Sequence, residues 1–307
     1  MAFDRKTLVI PDKTRFEDKE IETTGDVVVG DRTMLQFGLE TKGRIFVGEH
    51  VVTGGDLNAS DDIRIDIFSD IGGSVISGGN VYLAEKVHVK GKLSLQGDLD
   101  VGDSVEIDNG FEAKGWINIR SPIPVVIYVF IYLMQLLKMG KSEEIERILA
   151  ELEQNDCETI PISESFFFIP NGAIIGLSKS SVDCNMHVGK NCLATGNFDC
   201  KGNVYVDENS ELRGSLNASE NVFCGRKVKI LGNIKSGGTV YLDEDVSVSG
   251  NVESTKLFLT KTSSVGGMLK ARDGVRFMDS DEFKAGQKLK RWQSSASLVD
   301  EVVELLE

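Results

Sequence analysis

The sequence predicts a mainly β protein made of two triangular β-helix (solenoid) domains of about six rungs each, with an inserted helical segment and a C-terminal helix. Two observations carry this prediction: a six-residue repeat that runs almost unbroken, and a duplication of the whole repeat block. Glycine is frequent, at 32 of 307 residues, and proline is scarce, at 5. This composition suits a chain that turns often and by similar turns.

The repeat begins at Gly25 and continues in steps of six to Arg120. No third or fifth residue of these hexads is charged, although 27% of the chain is charged. Because residues i and i+2 share one face of a strand, each hexad predicts a short strand with two inward side chains, followed by a bend that often carries glycine. Three hexads make one coil, and the bulkiest inward pairs recur at that 18-residue spacing: Val27/Val29, Ile45/Val47, Ile63/Ile65, Val81/Leu83, Leu99/Val101 and Ile117/Ile119.

The repeat block occurs twice, with a 159-residue offset between the copies. The sequence SGGNVYL at 77–83 recurs as SGGTVYL at 236–242, and Ile10-Pro11 recurs as Ile169-Pro170. The duplicated unit therefore includes a leading strand that we expect to act as an N-terminal cap. One residue is missing near Ser254, which a corner tolerates better than a strand. The predicted divisions are a first β-helix at 1–120, a helical insert at 121–165, a second β-helix at 166–279 and a helical tail at 280–307.

The insert contains an almost wholly apolar stretch at 123–139, followed by an amphipathic pattern. This stretch is at the lower limit of length for crossing a bilayer. We therefore expect a helix packed on the β-helix or on its own hairpin partner first, peripheral membrane insertion or helix-mediated oligomerisation second, and a true span last. The candidate face for a membrane or a partner consists of Val126, Val129, Phe130, Leu133 and Leu137. In the tail, Ser297 and Asp300 resemble a capping box that opens a last helix.

Patterns that carry chemistry are missing from the sequence. His50, His88 and His187 occupy outward positions without metal-ligand spacing, and most cysteines fall at inward positions as small core residues. We therefore expect no catalytic, cofactor or metal site and no small-molecule substrate. A net charge of −14 argues against a nucleic-acid partner, because phosphate binding needs clustered cations. Five cysteines, an odd number, and an N-terminus without signal-peptide features predict a reducing cytoplasm.

The hexads GDLNASDDIRI, GNVYLAEKVHVKGKLSLQGDLDVG and VSVSGNVESTKLFLTKTSSVGGMLKARDGVRF resemble those of the bactofilins, a family of polymer-forming cytoskeletal proteins. The resemblance extends over 8–120 and 167–279 and rests on the six-residue repeat and the corner glycines. It implies a right-handed β-helix that polymerises end to end without nucleotide, often near membranes. The duplicated domain and the inserted helices depart from the family pattern, and such helices could cap an end and limit polymerisation.

Physical reasoning also favours self-assembly, because the last rung of a β-helix leaves backbone N–H and C=O groups unpaired. The candidate end residues are Val9 and Phe16 before the first rung, and Phe277 and Phe283 after the last. Local capping by the same residues is the alternative. An alternative function is that of a left-handed hexapeptide-repeat enzyme, such as an acyltransferase. A third hypothesis is a non-polymerising scaffold that docks on a membrane or partner through 123–139. The expected partner is a second copy of the chain, with possible peripheral membrane contact.

Overall fold

The computed structural model describes residues 6–17, 19–120, 131, 134, 162, 163 and 165–278. Within these residues the chain forms 38 short strands in three long sheets, A, B and C, with one strand of each sheet per turn over most of the length. At a strand spacing of about 4.8 Å, the fourteen strands of sheet A extend for about 60 Å. The predicted mainly β solenoid with an internal repeat is confirmed.

The spatial order of the strands in each sheet differs from their order in the chain. Sheet A consists of β19 (Ile117–Ile119), β16 (Leu99–Val101), β13 (Val81–Leu83), β10 (Ile63–Ile65), β7 (Ile45–Val47), β4 (Asp26–Val29), β20 (Phe166–Ile169), β1 (Thr7–Ile10), β23 (Asn185–Val188), β26 (Val204–Val206), β29 (Val222–Cys224), β32 (Thr239–Leu242), β35 (Lys256–Leu259) and β38 (Val275–Phe277). Sheet B consists of β18 (Phe111–Ala113), β15 (Leu93–Leu95), β12 (Val75–Ser77), β9 (Leu57–Ala59), β6 (Gly38–Thr41), β3 (Glu20–Thr23), β2 (Arg15–Glu17), β24 (Leu193–Thr195), β27 (Glu211–Arg213), β30 (Lys229–Ile230), β33 (Ser247–Val248) and β36 (Ser264–Val265). Sheet C consists of β17 (Glu106–Ile107), β14 (His88–Val89), β11 (Asp70–Ile71), β8 (Val52–Thr53), β5 (Met34–Leu35), β21 (Ile174–Ile175), β22 (Lys179–Val182), β25 (Asn197–Cys200), β28 (Leu216–Ala218), β31 (Ile234–Ser236), β34 (Val252–Ser254) and β37 (Leu269–Ala271).

The register within each half follows the 18-residue spacing of the sequence. Ile63 pairs with Val81, and Val81 pairs with Leu99, in parallel strands of sheet A. Towards the end of the second half the spacing falls to 17, as in the pairing of Val240 with Leu257. The missing residue lies at the corner between β34 and β35, so Leu257 still points inward and is 1% exposed. The predicted corner deletion is therefore confirmed.

The two halves meet by their N-terminal rungs and run in opposite directions from the junction. Strand β1 pairs in parallel with β23 of the second half, and β20 pairs in parallel with β4 of the first half. Between them, β1 and β20 are antiparallel, with Val9 opposite Phe168. These two residues are equivalent under the sequence duplication, so a pseudo-twofold axis passes between them. Each predicted leading strand thus caps the other half, and all three sheets continue across the junction.

The same exchange occurs in the other two sheets. Arg15 of β2 pairs with Leu193 of β24, and its equivalent Ile174 of β21 pairs with Met34 of β5. Inside the junction the ring of Phe16 packs edge-on against Phe37, Phe167 and Phe198, at centroid distances of 5.4, 6.3 and 6.4 Å. This aromatic cluster joins the two hydrophobic cores into one.

Corner glycines are needed for space more than for backbone conformation. A Cβ on Gly97 would lie 2.4 Å from Oδ1 of Asn80, because the Asn80 side chain of the preceding turn folds over the corner to accept a hydrogen bond from the N–H of Asp98 at 2.8 Å. Positive φ angles fall instead at another corner, on non-glycine residues of successive turns, for example Arg32, His50, Phe68, Lys86 and Ser104. At most corners, glycine is therefore required by the close approach of the preceding turn and not by a positive φ.

The predicted helices of the insert and tail lie almost wholly outside the described residues. Of these helices only Ile131 and Met134 are described, both in helical conformation and both exposed, at 52% and 44%. No helix in the described part of the chain has the length and apolar character needed to cross a bilayer. The handedness and triangular outline of the solenoid, and its division into two domains, stay predictions.

Candidate assembly ends

The first end of the solenoid exposes side chains that point inward in every earlier turn. Leu99 of β16 is 1% exposed, whereas Ile117 and Ile119, one turn later in β19, are 48% and 72% exposed. Phe111 of β18 is 51% exposed, although its register partner Leu93 is fully buried. Because no further turn covers them in the described chain, these apolar side chains form the end of an open core.

The second end repeats this pattern in the other half. In β38, Val275 and Phe277 are 43% and 62% exposed, although they follow Leu257, which is 1% exposed. Met268, just before β37, is 70% exposed. The pseudo-twofold relation makes the two ends equivalent: each is the last turn of one half, and each carries an exposed apolar surface.

Backbone groups add to the open character of both ends. Within the described residues, β19 and β38 are the outermost strands of sheet A, so each has one edge without a neighbouring strand. Such an edge is a template for another strand, and natural proteins usually cover it or place charges on it. The described ion pairs nearest the ends, Arg120 with Asp100, Lys92 with Glu112 and Lys270 with Glu253, lie on the outer faces, and the inward positions of β18, β19 and β38 are apolar.

The residues proposed from sequence as assembly ends occupy different places. Val9 lies in the central strand β1, and Phe16 is 2% exposed in the aromatic cluster, so both belong to the internal junction and not to a free end. Phe277 lies at the second end, and Phe283 lies outside the described residues. The candidate membrane face of Val126, Val129, Phe130, Leu133 and Leu137 also lies outside them.

Sequence reasoning missed most of the residues that form the first end. Trp116 is 85% exposed and directly precedes β19. The signal was present in the hexads NGFEAK and GWINIR, which keep inward apolar positions immediately before the repeat stops at Pro122. An apolar inward position in the last turn has no following turn to bury it.

The histidines form surface contacts with carboxylates. His88 lies between Asp70 and Asp108, at 3.6 Å from Nδ1 and 3.1 Å from Nε2, and Nε2 of His187 is 3.3 Å from Asp207. Among the described residues, no three His, Cys, Asp or Glu side chains are arranged to hold a metal ion.

The cysteine thiols belong to the core. Cys192, Cys200 and Cys224 are 0–4% exposed, as the inward hexad positions predicted. Burial raises the pKa of Cys192 to about 11 and that of Cys200 to about 12. At neutral pH these thiols are protonated, and a protonated thiol is a poor nucleophile.

The junction also holds an ion pair between Arg44 and the buried carboxylate of Asp26. Asp26 is 3% exposed, and its carboxylate accepts hydrogen bonds from the backbone N–H of Arg44 at 3.0 Å, from Nε of Arg44 at 3.3 Å and from the N–H of Ser163 at 2.9 Å. Burial alone would raise the pKa of Asp26, but these hydrogen bonds and the Arg44 charge hold the pKa below its usual value. The pair fixes the end of the insert against the first turn.

A groove of about 790 Å³ opens beside the junction on the outer face of sheet A. Its lining combines apolar side chains, including Val28, Phe46 and Phe168, with charges of both signs, including Arg64 and Asp66. No histidine is among its described lining residues.

Comparisons of the chain with protein-family profiles, with curated proteins and with solved structures find no match. The open ends and the junction therefore provide the evidence on function.

Proposed function

We propose that the protein is a non-enzymatic structural scaffold, similar to the bactofilins, that assembles through the ends of its solenoid into a cytoskeletal polymer or oligomer in the cytoplasm. The observation that carries this proposal is the pair of open ends, where Ile117, Ile119, Val275 and Phe277 are 43–72% exposed at register positions that are buried elsewhere. A second copy of the chain that stacks on such an end would bury them and continue the backbone ladder.

The inverted halves determine how copies would meet. Each open end of the described solenoid is the C-terminal turn of one half. The end strands of two copies that meet end to end are therefore antiparallel. Strands β20 and β1 already form an antiparallel contact of this kind inside the rod. A repeated contact of this type yields a linear polymer. Because each molecule is pseudo-symmetric, that polymer would have no overall polarity.

The overall charge opposes this association at low ionic strength. The net charge of −14 makes neighbouring copies repel each other, and salt screens this repulsion. The apolar contact at the ends is insensitive to screening. We therefore expect assembly to increase as the salt concentration rises from low to physiological values.

The test is the assembly state of the purified full chain, measured by sedimentation velocity and negative-stain electron microscopy over a range of protein and salt concentrations. The variant Ile119→Asp/Phe277→Asp places a charge on each end. The control is Ile76→Asp, because Ile76 is 43% exposed but lies on the outer face of β12, in the middle of the first half.

We expect linear assemblies from the wild type and from the control, and single rods about 60 Å long from the end variant. Monodisperse wild-type particles under all conditions would overturn the proposal. Equal assembly by the end variant and the control would show that the ends are not the contact.

One observation favours a second function, docking on a membrane or partner through the insert. Ile131 and Met134, three residues apart, are 52% and 44% exposed in helical conformation, so they share one apolar helix face. Retention of the wild type by liposomes, and its loss in Ile131→Asp but not in Ile76→Asp, would support this function. Equal retention of all three proteins, or retention of none, would refute it.

A further inference from the structure

Four aromatic side chains form a continuous ladder on the outer face of sheet A in the second half. The rings of Tyr205, Phe223, Tyr241 and Phe258 lie one above another on β26, β29, β32 and β35. Successive ring centroids are 4.8, 4.7 and 5.0 Å apart, with interplanar angles of 2°, 5° and 11°. We name these four residues the aromatic ladder. It spans about 14 Å, three strand spacings, along the rod.

The first half carries no such ladder, although its backbone is equivalent. The corresponding residues are Phe46, Arg64, Tyr82 and Asp100, where charge alternates with aromatic rings. Arg64 is exposed and lies over the ring of Tyr82 at 5.2 Å, whereas its equivalent Phe223 is only 4% exposed. Two stacked neighbours cover the faces of the Phe223 ring but not its outer edge. Its burial therefore indicates a cover on this half of the sheet.

Two carboxylates at the strand ends beside the aromatic ladder favour a basic cover, although Arg226 also lies near Asp243. Asp207 and Asp243 directly follow β26 and β32, and Asp243 is only 5% exposed. Aromatic faces and carboxylates together attract Lys and Arg, through cation–π contacts and ion pairs.

The C-terminal segment 284–292, KAGQKLKRW, fits this surface in charge and in reach. It contains Lys284, Lys288, Lys290 and Arg291, ends in Trp292 and has no acidic residue. The chain leaves sheet A after Phe277 of β38, three strands from Phe223, a distance of about 14 Å. Ten extended residues span up to about 35 Å, so the segment can reach the whole aromatic ladder.

The insert fits less well. From β19 to β29 there are ten strand spacings, about 48 Å, whereas the eleven residues from Arg120 to Ile131 span at most about 40 Å. The part of the insert nearer Ser163, at 142–161, carries seven acidic residues and one basic residue. It would be repelled by Asp207 and Asp243.

We propose that the aromatic ladder is the docking surface for the basic C-terminal segment 284–292 of the same chain. Docking places this segment on the outer face of sheet A, beside the second end of the rod. The proposal does not depend on the assembly function, since docking occurs within one chain.

The test is photo-crosslinking of the intact protein with p-benzoylphenylalanine in place of Tyr241. The matched control carries the same replacement at Tyr82, the equivalent outward position in the first half. We expect the probe at 241 to form an adduct with a peptide from 284–292 within one chain, and the probe at 82 to form none there. Adducts with 121–161, adducts with a second chain only, or no adduct would overturn the proposal.

A charge-reversal variant provides the second measurement. Lys288→Glu/Arg291→Glu alters only the segment, so the solenoid keeps its core, and amide hydrogen exchange of β29 checks that the solenoid is folded. We expect the adduct yield at position 241 to fall at least tenfold. An unchanged yield in a folded protein would show that the basic residues do not hold the segment on the aromatic ladder.

Discussion

At the scale of single residues, the corners depend on contacts between successive turns. Asp or Asn follows the corner glycine in many hexads, and its side chain accepts a hydrogen bond from the backbone of the next turn. Asn80 accepts from the N–H of Asp98 at 2.8 Å, and Asn221 accepts from the N–H of Thr239 at 2.9 Å. In both cases the next turn has a glycine, Gly97 or Gly238, where this side chain passes. The inward positions were predictable from two-residue periodicity, but the role of glycine was not, because it depends on a side chain from another turn.

Gly97→Ala tests this steric explanation. The new Cβ would lie 2.4 Å from Oδ1 of Asn80 and 2.8 Å from O of Gly79, so we expect a loss of about 2–4 kcal/mol in the free energy of unfolding. The control is Gly225→Ala, where the nearest atom would be 3.2 Å away. Chemical denaturation measures both variants, and equal losses would contradict the explanation.

At the corner with positive φ, introducing a glycine should stabilise the protein. Lys227 is exposed and has a φ of 58°, a conformation that costs a residue with a Cβ about 1–2 kcal/mol. We expect Lys227→Gly to stabilise the protein by up to about 1 kcal/mol, after the greater chain entropy of unfolded glycine is subtracted. Lys235→Gly, at an exposed position within β31, should destabilise it instead. A lower melting temperature for Lys227→Gly would contradict this account.

At the scale of elements, the leading strands have partners that the sequence did not reveal. The duplicate motifs at Ile10 and Ile169 predict a leading strand and an N-terminal cap in each half. Each leading strand is a cap, but it covers the first rung of the other half. The sequence of a short apolar strand such as β1 or β20 does not specify which strand it pairs with, because the partner lies far away in the chain. The exchange follows from the need of each first turn to cover its open edge, which the strand from the other half satisfies.

The ion pair of the buried Asp26 carboxylate with Arg44 makes the junction sensitive to acid. The folded protein lowers the pKa of Asp26, so this contribution to stability is present above the carboxyl's unfolded pKa of about 4 and is lost as the pH falls through the lower folded value. Asp26→Asn resembles the natural Asn185 at the equivalent position and keeps an oxygen acceptor. We expect it to lose about 1–3 kcal/mol at pH 7, and we expect this loss to shrink as the pH falls through the lowered pKa of Asp26. A difference that does not depend on pH, in denaturation curves measured from pH 2 to 7, would refute the role of the charge.

At the scale of the whole molecule, the opposite directions of the two halves determine which turns of the solenoid form its ends. The N-terminal rungs of the two halves pair with each other at the junction, and the C-terminal rung of each half forms one end of the rod. Repeat counting predicted the two copies and their turns, but not their opposite directions, because direction is encoded only in long-range pairing. For the same reason the sequence predicts Val9 and Phe16 as end residues, although they lie at the centre of the rod. The assembly proposal rests on this inversion, since it gives every molecule two equivalent apolar ends.

The inverted junction is tested most directly by a disulfide across the pseudo-twofold axis. Val9 and Phe168 are antiparallel partners on adjacent strands, where the Cα atoms lie about 4.5–5.5 Å apart and a disulfide can form. The control pair is Val9→Cys/Tyr82→Cys, whose strands are five spacings apart in sheet A. We predict that mild oxidation of Val9→Cys/Phe168→Cys gives a disulfide within one chain, identified by mass spectrometry of the linked peptides, and that the control gives none. No 9–168 link, or links only between chains, would contradict the inverted rod.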